Sequence, residues 1–228
     1  MNFYEYHVHS EVDLEGVLKT LENLGWTGAC FVCKSLEAIA ELRASLAKAK
    51  TSLDVSLGYK IETVQPENIP RIARSVRKRV EIILVHGGDL EINRKACETA
   101  EIDILAHPEL GRNDNGLDHV MAKLAKENKV AIEFNMRPLL LSYKKTRSDI
   151  FSRMLDNAKL VRKYKAPFVL TSGAVEPYDL RSPSEMLSLA KLLGLDLKRA
   201  KLGLSAKMLA ENRKRLGSKW VMPGVEIE

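Results

Sequence analysis

The apolar positions of this chain switch period repeatedly between that of a strand and that of a helix. Residues 3–8 form a short apolar and aromatic run, after which Leu14, Val17, Leu18, Leu21 and Leu24 recur at helical spacing and Gly25 closes the pattern. Gly28 to Cys33 is continuously apolar, as a strand covered on both faces must be, and Ser35 is placed to cap a helix carrying Leu36, Ile39, Leu42 and Leu46. A third strand is expected through Leu53 to Thr63 with a bulge at Gly58, and Pro66 and Pro70 bracket the start of a third helix. Val80 to Val85 precedes a helix over 89–100, and Ile102 to Ala106 precedes one over 116–128. Val130 to Phe134 is a sixth strand; it feeds a long basic loop, Arg137 to Arg147, before a helix bearing Ile150, Met154, Leu155, Ala158 and Val161. Pro167 to Thr171 is the seventh. The helix after it opens with Ser182 as N-cap, Pro183 at the first position and Glu185 closing a capping box, and Gly194 stops it. Leu195 to Leu202 and Ser205 to Leu216 read as two more helices ending at Gly203 and Gly217, and no eighth strand follows.

Seven strand-helix units in strict alternation predict a parallel sheet covered on both sides. The expected fold is a distorted (β/α) TIM-like barrel with about seven parallel strands and extra C-terminal helices, a single domain over 1–228 on which the basic helices of 196–217 pack. An open doubly wound sheet is the alternative, but no Gly-rich phosphate loop follows the first strand, and Gly87-Gly88 is too short to serve as one. No apolar run approaches ~18 residues, and Glu5 and His7 interrupt the opening too early for a signal-peptide core, so a cytoplasmic protein without membrane contact is expected. Cys30-Phe31-Val32-Cys33 has the spacing of a redox pair or half a zinc site. Its Phe-Val filling is strand chemistry and no second such pair exists, so Cys30, Cys33 and Cys97 are read as core thiols.

The net charge is only +6, yet the charges are segregated. Residues 68–80, 134–148, 157–175 and 197–219 together hold 21 basic groups and one acid, Glu211, leaving 15 basic and 29 acidic groups elsewhere. Solvated helix faces are the ordinary meaning of such runs, but four segments sharing the bias point to RNA or another polyanion. The candidates are Arg71, Arg74, Arg77, Lys78, Arg94, Arg137, Lys144, Lys145, Arg147, Lys163, Arg181, Arg213, Lys214 and Arg215, with Tyr143 and Tyr164 as candidate faces for base stacking. Leu139-Leu140-Leu141 is an apolar triplet between Arg137 and Lys144. It is either a docking surface for a partner protein or a plug for the barrel mouth.

Four of the five histidines, His7, His9, His86 and His107, end predicted strands, and parallel strands gather those ends on one face. Alternate strand residues lie about 7 Å apart on one side, so His7 and His9 can enter one pocket. With Glu62 and His107 they make a candidate metal set, and a metal-dependent phosphoesterase using it is the enzymatic reading. For Glu62 and Glu133 the plainer expectation is pairing with nearby Arg or Lys.

The His-x-His end of the first strand resembles the polymerase-and-histidinol-phosphatase metallohydrolase superfamily. Two of that superfamily's ligand motifs are replaced here, by Cys33-Lys34 and by Ser172-Gly173-Ala174. A closer resemblance spans nearly the whole chain. Ser172-Gly173-Ala174 with Asp179-Leu180-Arg181-Ser182-Pro183, Asn93-Arg94-Lys95-Ala96, Asp103-Ile104-Leu105, Ile132-Glu133-Phe134-Asn135 and the short basic tail helices resemble the archaeal ribonuclease P protein component 3 family, the 30-kDa-class subunit. That resemblance implies a barrel without catalytic metals or catalytic residues of its own. It further implies a subunit of the ribonucleoprotein endonuclease that removes 5′ leaders from precursor tRNA, in which magnesium serves the catalytic RNA. The expected partners are ribonuclease P RNA, precursor tRNA, ribonuclease P protein component 2 and other protein subunits. No metal is expected, with His7, His9, Glu62 and His107 as vestigial candidates.

Overall fold

In the computed structural model, which describes residues 2–217 and the backbone of 220–222 and 225–226, seven strands pair in parallel in chain order. They are β1 (Tyr4–His9), β2 (Gly28–Cys33), β3 (Asp54–Ile61), β4 (Ile82–His86), β5 (Ile104–Ala106), β6 (Ala131–Asn135) and β7 (Phe168–Thr171). Each is followed by helix: α1 (Leu14–Asn23), α2 (Leu36–Lys48), α3 (Asn68–Val76), α4 (Leu90–Glu98), α5 (His119–Asn128), the short α6 (Arg137–Leu141) with the long α7 (Lys144–Tyr164), and α8 (Pro183–Leu192). Then come α9 (Leu197–Gly203), α10 (Lys207–Leu216) and a separate antiparallel pair, β8 (Trp220–Met222) with β9 (Val225–Glu226).

Alternation along the strands sorts side chains into two layers. Ala29, Phe31 and Cys33 face the helices while Cys30 and Val32 face the barrel interior, and Ile83 and Val85 alternate likewise with Ile82 and Leu84. Both faces are apolar, which is why these strands read as unbroken runs. The cysteines are buried and unpaired, and Cys30 and Cys33 point to opposite layers.

Seven strands nearly close the barrel where eight would be usual. β1 and β7 form no ladder; the seam is bridged just past the end of β7, where His9 N donates to Ala174 O at 2.9 Å and Val8 bridges Ala174. Lower down, the fully buried Glu5 carboxylate fills the seam, accepting from His7 N and Ser172 N, each at 3.0 Å. At the bottom, Tyr4 N donates to Leu204 O in the turn between α9 and α10. One side chain and one turn thus satisfy backbone donors that a missing strand leaves open.

Two local expectations need correction. Gly58 pairs regularly with both neighbours and makes no bulge; a Cβ there would stand 2.9 Å from Cys30 Sγ, so the glycine makes room in the narrow interior. The bulge lies in β1 between Glu5 and Val8, a stretch without Gly or Pro to mark it. It leaves Tyr4 and Tyr6 inside the barrel and sends Val8 to the outer layer. The segment 137–147 is no loop: α6, with Pro138 in its first turn, and the start of α7 are separated by Ser142 and Tyr143 alone.

The floor of the barrel is plugged by α10. Leu209 joins the interior cluster of Tyr4, Tyr6 and Ile82, Asn212 Nδ2 donates to Glu81 O (2.9 Å) and Asp103 Oδ1 (2.8 Å), and Arg213 forms two bonds to the Asp54 carboxylate at 2.8 and 2.9 Å.

Candidate functional site at the barrel mouth

Glu133 organises the opposite end. It alternates between outward-facing Ile132 and Phe134 and so enters the barrel, fully buried. Its Oε1 accepts from His7 Nδ1 (2.7 Å) and Thr171 Oγ1 (2.7 Å), and its Oε2 accepts from His107 N (3.2 Å) and lies 3.7 Å from His107 Nδ1. Desolvation alone would raise this carboxyl; His7 and His107, with the hydrogen bonds from His7 and Thr171, outweigh it and hold it well below the usual range. The His7 ring stacks on His9 at 5.0 Å, His107 stands 5.7 Å from His7, and His86 stands 5.5 Å from His107. Burial, reinforced by His7 and by Lys60, brings His9 down to about 3; burial, with His7 and His86, brings His107 down to about 4. His86 is lowered by burial and by Lys60. Among the described residues, His7 Nε2, His86 Nδ1, His107 Nδ1 and Ser172 Oγ are buried without a hydrogen-bond partner, and all four are at this mouth.

Of the metal candidates, the fold brings His7 and His107 together with Glu133, their ligand atoms within 4.8 Å of one another. Two imidazoles and a carboxylate are a donor set known from hydrolytic zinc sites. His9 stacks beside the group, and Glu62 stays out of it, 2.9 Å from Lys60 Nζ and 3.7 Å from Lys34 Nζ. Glu62 therefore pairs with lysines as expected, whereas the partners of Glu133 are histidines. That role had one signal, a lone acid in the apolar run of β6. Lys60 had none; only 4% exposed, it brings a buried ammonium to the mouth.

The motif residues hold loops and seams. Ser172 N meets Glu5, Gly173 has φ +60° with the Asn135 amide where a Cβ would stand, and Ala174 bridges to β1. Asp179 Oδ2 accepts from Val175 N (3.0 Å), Glu176 N (3.3 Å) and Arg137 Nε (3.0 Å). Buried Asn93 takes Gly88 N and donates to Pro108 O and Gly116 O, tying two mouth loops together. Asp103 takes Ile83 N and Arg77 Nη1, each at 2.7 Å, with Asn212 on its other oxygen.

The basic candidates divide in two. Arg71, Arg74, Lys78, Arg94, Lys144, Lys145, Arg147, Lys163 and Lys214 are exposed, although Arg94 pairs with Glu98 and Lys145 with Asp149. Arg77, Arg137 and Arg213 are engaged with Asp103, Asp179 and Asp54, while Arg181 bonds its own loop and Arg215 is half-buried. Leu139 packs on the core and Leu141 is 56% exposed, so the triplet faces both ways.

Comparison with known proteins matches this architecture. A family model described as RNase P subunit p30 covers residues 2–216. Ribonuclease P protein component 3 from one strain of Methanococcus maripaludis is 40% identical over 176 residues, 76% of this chain and 75% of that one. The protein of that name from a second strain is 34% identical over 225 residues, 97% of each chain. A chain in the cryo-EM structure of archaeal Ribonuclease P with mature tRNA superposes with a TM-score of 0.83 at 31% identity, covering 98% of this chain and 97% of its own. Since the match takes in the barrel and the helices that plug it, this chain belongs to the RNase P subunit p30 family.

Proposed function

We propose that this chain is a binding subunit of ribonuclease P, the particle that removes 5′ leaders from precursor tRNA, and that it contributes surfaces for RNA and for other protein subunits while the RNA component cleaves. The observation that carries this is the family match over residues 2–216, in a chain whose family motifs build loops and seams. Magnesium in this reading belongs to the RNA, the protein partner is ribonuclease P protein component 2, and the particle works in the cytoplasm. No helix among the described residues is long and apolar enough to cross a membrane.

The RNA-facing surface includes the exposed start of α7. Lys144, Lys145 and Arg147 crowd a first helical turn that has no acid, where the helix dipole disfavours cations and phosphate would relieve them. Tyr143, 75% exposed under the Arg147 guanidinium, offers a face to an unstacked base. Leu141 beside it belongs to the partner surface.

The His7–His107–Glu133 group favours a second reading, a metal-dependent phosphoesterase. Against it, the buried Lys60 ammonium acts on His9, His86 and His107 and would oppose a divalent ion there. The two readings part in one assay: purified protein with added manganese or zinc, on precursor tRNA and on a generic phosphoester, beside a His7→Ala/His107→Ala variant. Turnover by the protein alone that vanishes in the variant would sink the subunit reading. Cleavage that requires the RNA component and survives the variant supports it.

A further inference from the structure

At the floor of the barrel, away from every residue discussed as a site so far, a cavity of about 370 Å³ opens between the ends of α5 and α7 and the tail helices. Five cations line it: Lys126, Lys129, Lys165, Arg199 and Lys207. Among the described residues, the only acid on its wall is Glu211, 4.0 Å from Lys207, and none of the other four cations has a carboxylate within 4.0 Å. We propose that this pocket binds one nucleotide of RNA, its base inside and its flanking phosphates on the lysines. The proposal rests on the RNA-binding reading above and adds to it a site made of residues outside the candidate set drawn from the sequence.

The fold assembles this cluster from distant segments. Lys129 and Lys165 each take the left-handed position that ends a helix, with φ of 61° and 57°, and each directly precedes the approach to one of the paired strands β6 and β7, so they stand side by side. Arg199 Cζ stands 5.4 Å from the centre of the Phe168 ring, and the guanidinium donates to Ala166 O. A plainer account exists for three of the five, since Lys126, Lys129 and Lys165 sit at helix carboxyl ends and complement the dipole. It fails for the other two. Arg199 and Lys207 lie in the first turns of α9 and α10, where a cation is locally unfavourable, and they still converge on the same cavity.

Five cations beside a single acid, two of them placed against local preference, fit a polyanion. Most of the remaining wall is apolar, with Pro167, Leu202 and Met208 beside Tyr6 and Ser205, and the volume lies within the range of small-molecule sites, roughly 300–1,000 Å³. A largely apolar wall beside an arginine is a place for an unstacked base, which favours RNA over an acidic peptide.

The test uses the full-length protein and the ribonuclease P RNA transcript. Lys129→Glu/Lys165→Glu should weaken binding about tenfold or more and lower the log-log salt slope by roughly 0.7 or more, the effect of at least one lost phosphate contact. Lys129→Gln/Lys165→Gln should weaken it less, with thermal unfolding unchanged, which separates charge from folding. A benzophenone side chain at exposed Leu202, in the reconstituted particle, should crosslink to RNA. A crosslink to a protein subunit, or none at all, overturns the pocket assignment. Wild-type affinity in both lysine variants also overturns it, and if Lys144→Glu/Lys145→Glu then abolishes binding, the RNA-binding reading stands alone. Absence of RNA binding by the wild-type protein defeats both.

Discussion

The two ends of this barrel are built on opposite terms. At the floor the buried polar groups are matched: the Tyr4 hydroxyl donates toward Ala29 O (2.9 Å) and meets Ser56 Oγ (2.6 Å), Tyr6 reaches Ser205 O (2.6 Å), and Asp103 accepts from Ile83 N, Arg77 and Asn212. At the mouth, four buried polar atoms have no partner among the described residues, and burial lowers the pKa of three imidazoles. The difference shows where stability resides. Matched groups in a low-dielectric interior hold the fold, and unmatched ones lower its stability, as a site for chemistry does or as the remains of one.

The largest effect should come from breaking the floor. Asp103→Ala removes the carboxylate that the Arg77 guanidinium, the Ile83 amide and the Asn212 amide share, and a loss of about 3–5 kcal/mol is expected in denaturant unfolding. A loss below about 1 kcal/mol would remove the contrast between the ends. Leu209→Ala follows, at about 2–4 kcal/mol, because it withdraws the helix plug from the interior cluster.

Next in size is the response to pH. His107, brought to about 4, stays neutral in the folded state while the unfolded chain takes a proton near the ordinary 6.5; stability therefore rises with pH between about 4 and 6.5. His9, at about 3, acts in the same direction over a wider window. Glu5 opposes them. Burial raises it to about 7, so the folded state keeps a proton the unfolded state releases near 4.5, and stability falls as pH rises between those values. Glu5→Gln should therefore steepen the rise of stability with pH over that interval, measured by thermal unfolding at a series of pH values; an unchanged slope would mean that the seam carries no titrating load. The smallest effect is expected at the mouth itself. His86→Ala removes an imidazole whose Nδ1 already lacks a partner, and unfolding should shift by about 1 kcal/mol or less.

Much of this was legible in the chain alone. The period changes located seven strands, the Ser182–Glu185 capping box stands where the sequence places it, and His9, His86 and His107 stand at or just past strand ends with His7 two residues before one, because propensity, capping and alternation act over a few residues. Over 137–147, Pro138 and a run of cations suggest a break in the sequence, while the packing of Leu139 on the core favours a helix. What only the tertiary structure decided lies between residues far apart: His7 with Glu133 (126 positions), Asn212 with Asp103 (109) and Arg213 with Asp54 (159). The β1 bulge, the Glu5 seam, the buried Lys60 and the floor pocket belong with these. A local pattern records which face a residue turns to; it cannot record what meets it there, since barrel closure brings the first strand against the seventh and a tail helix under the floor.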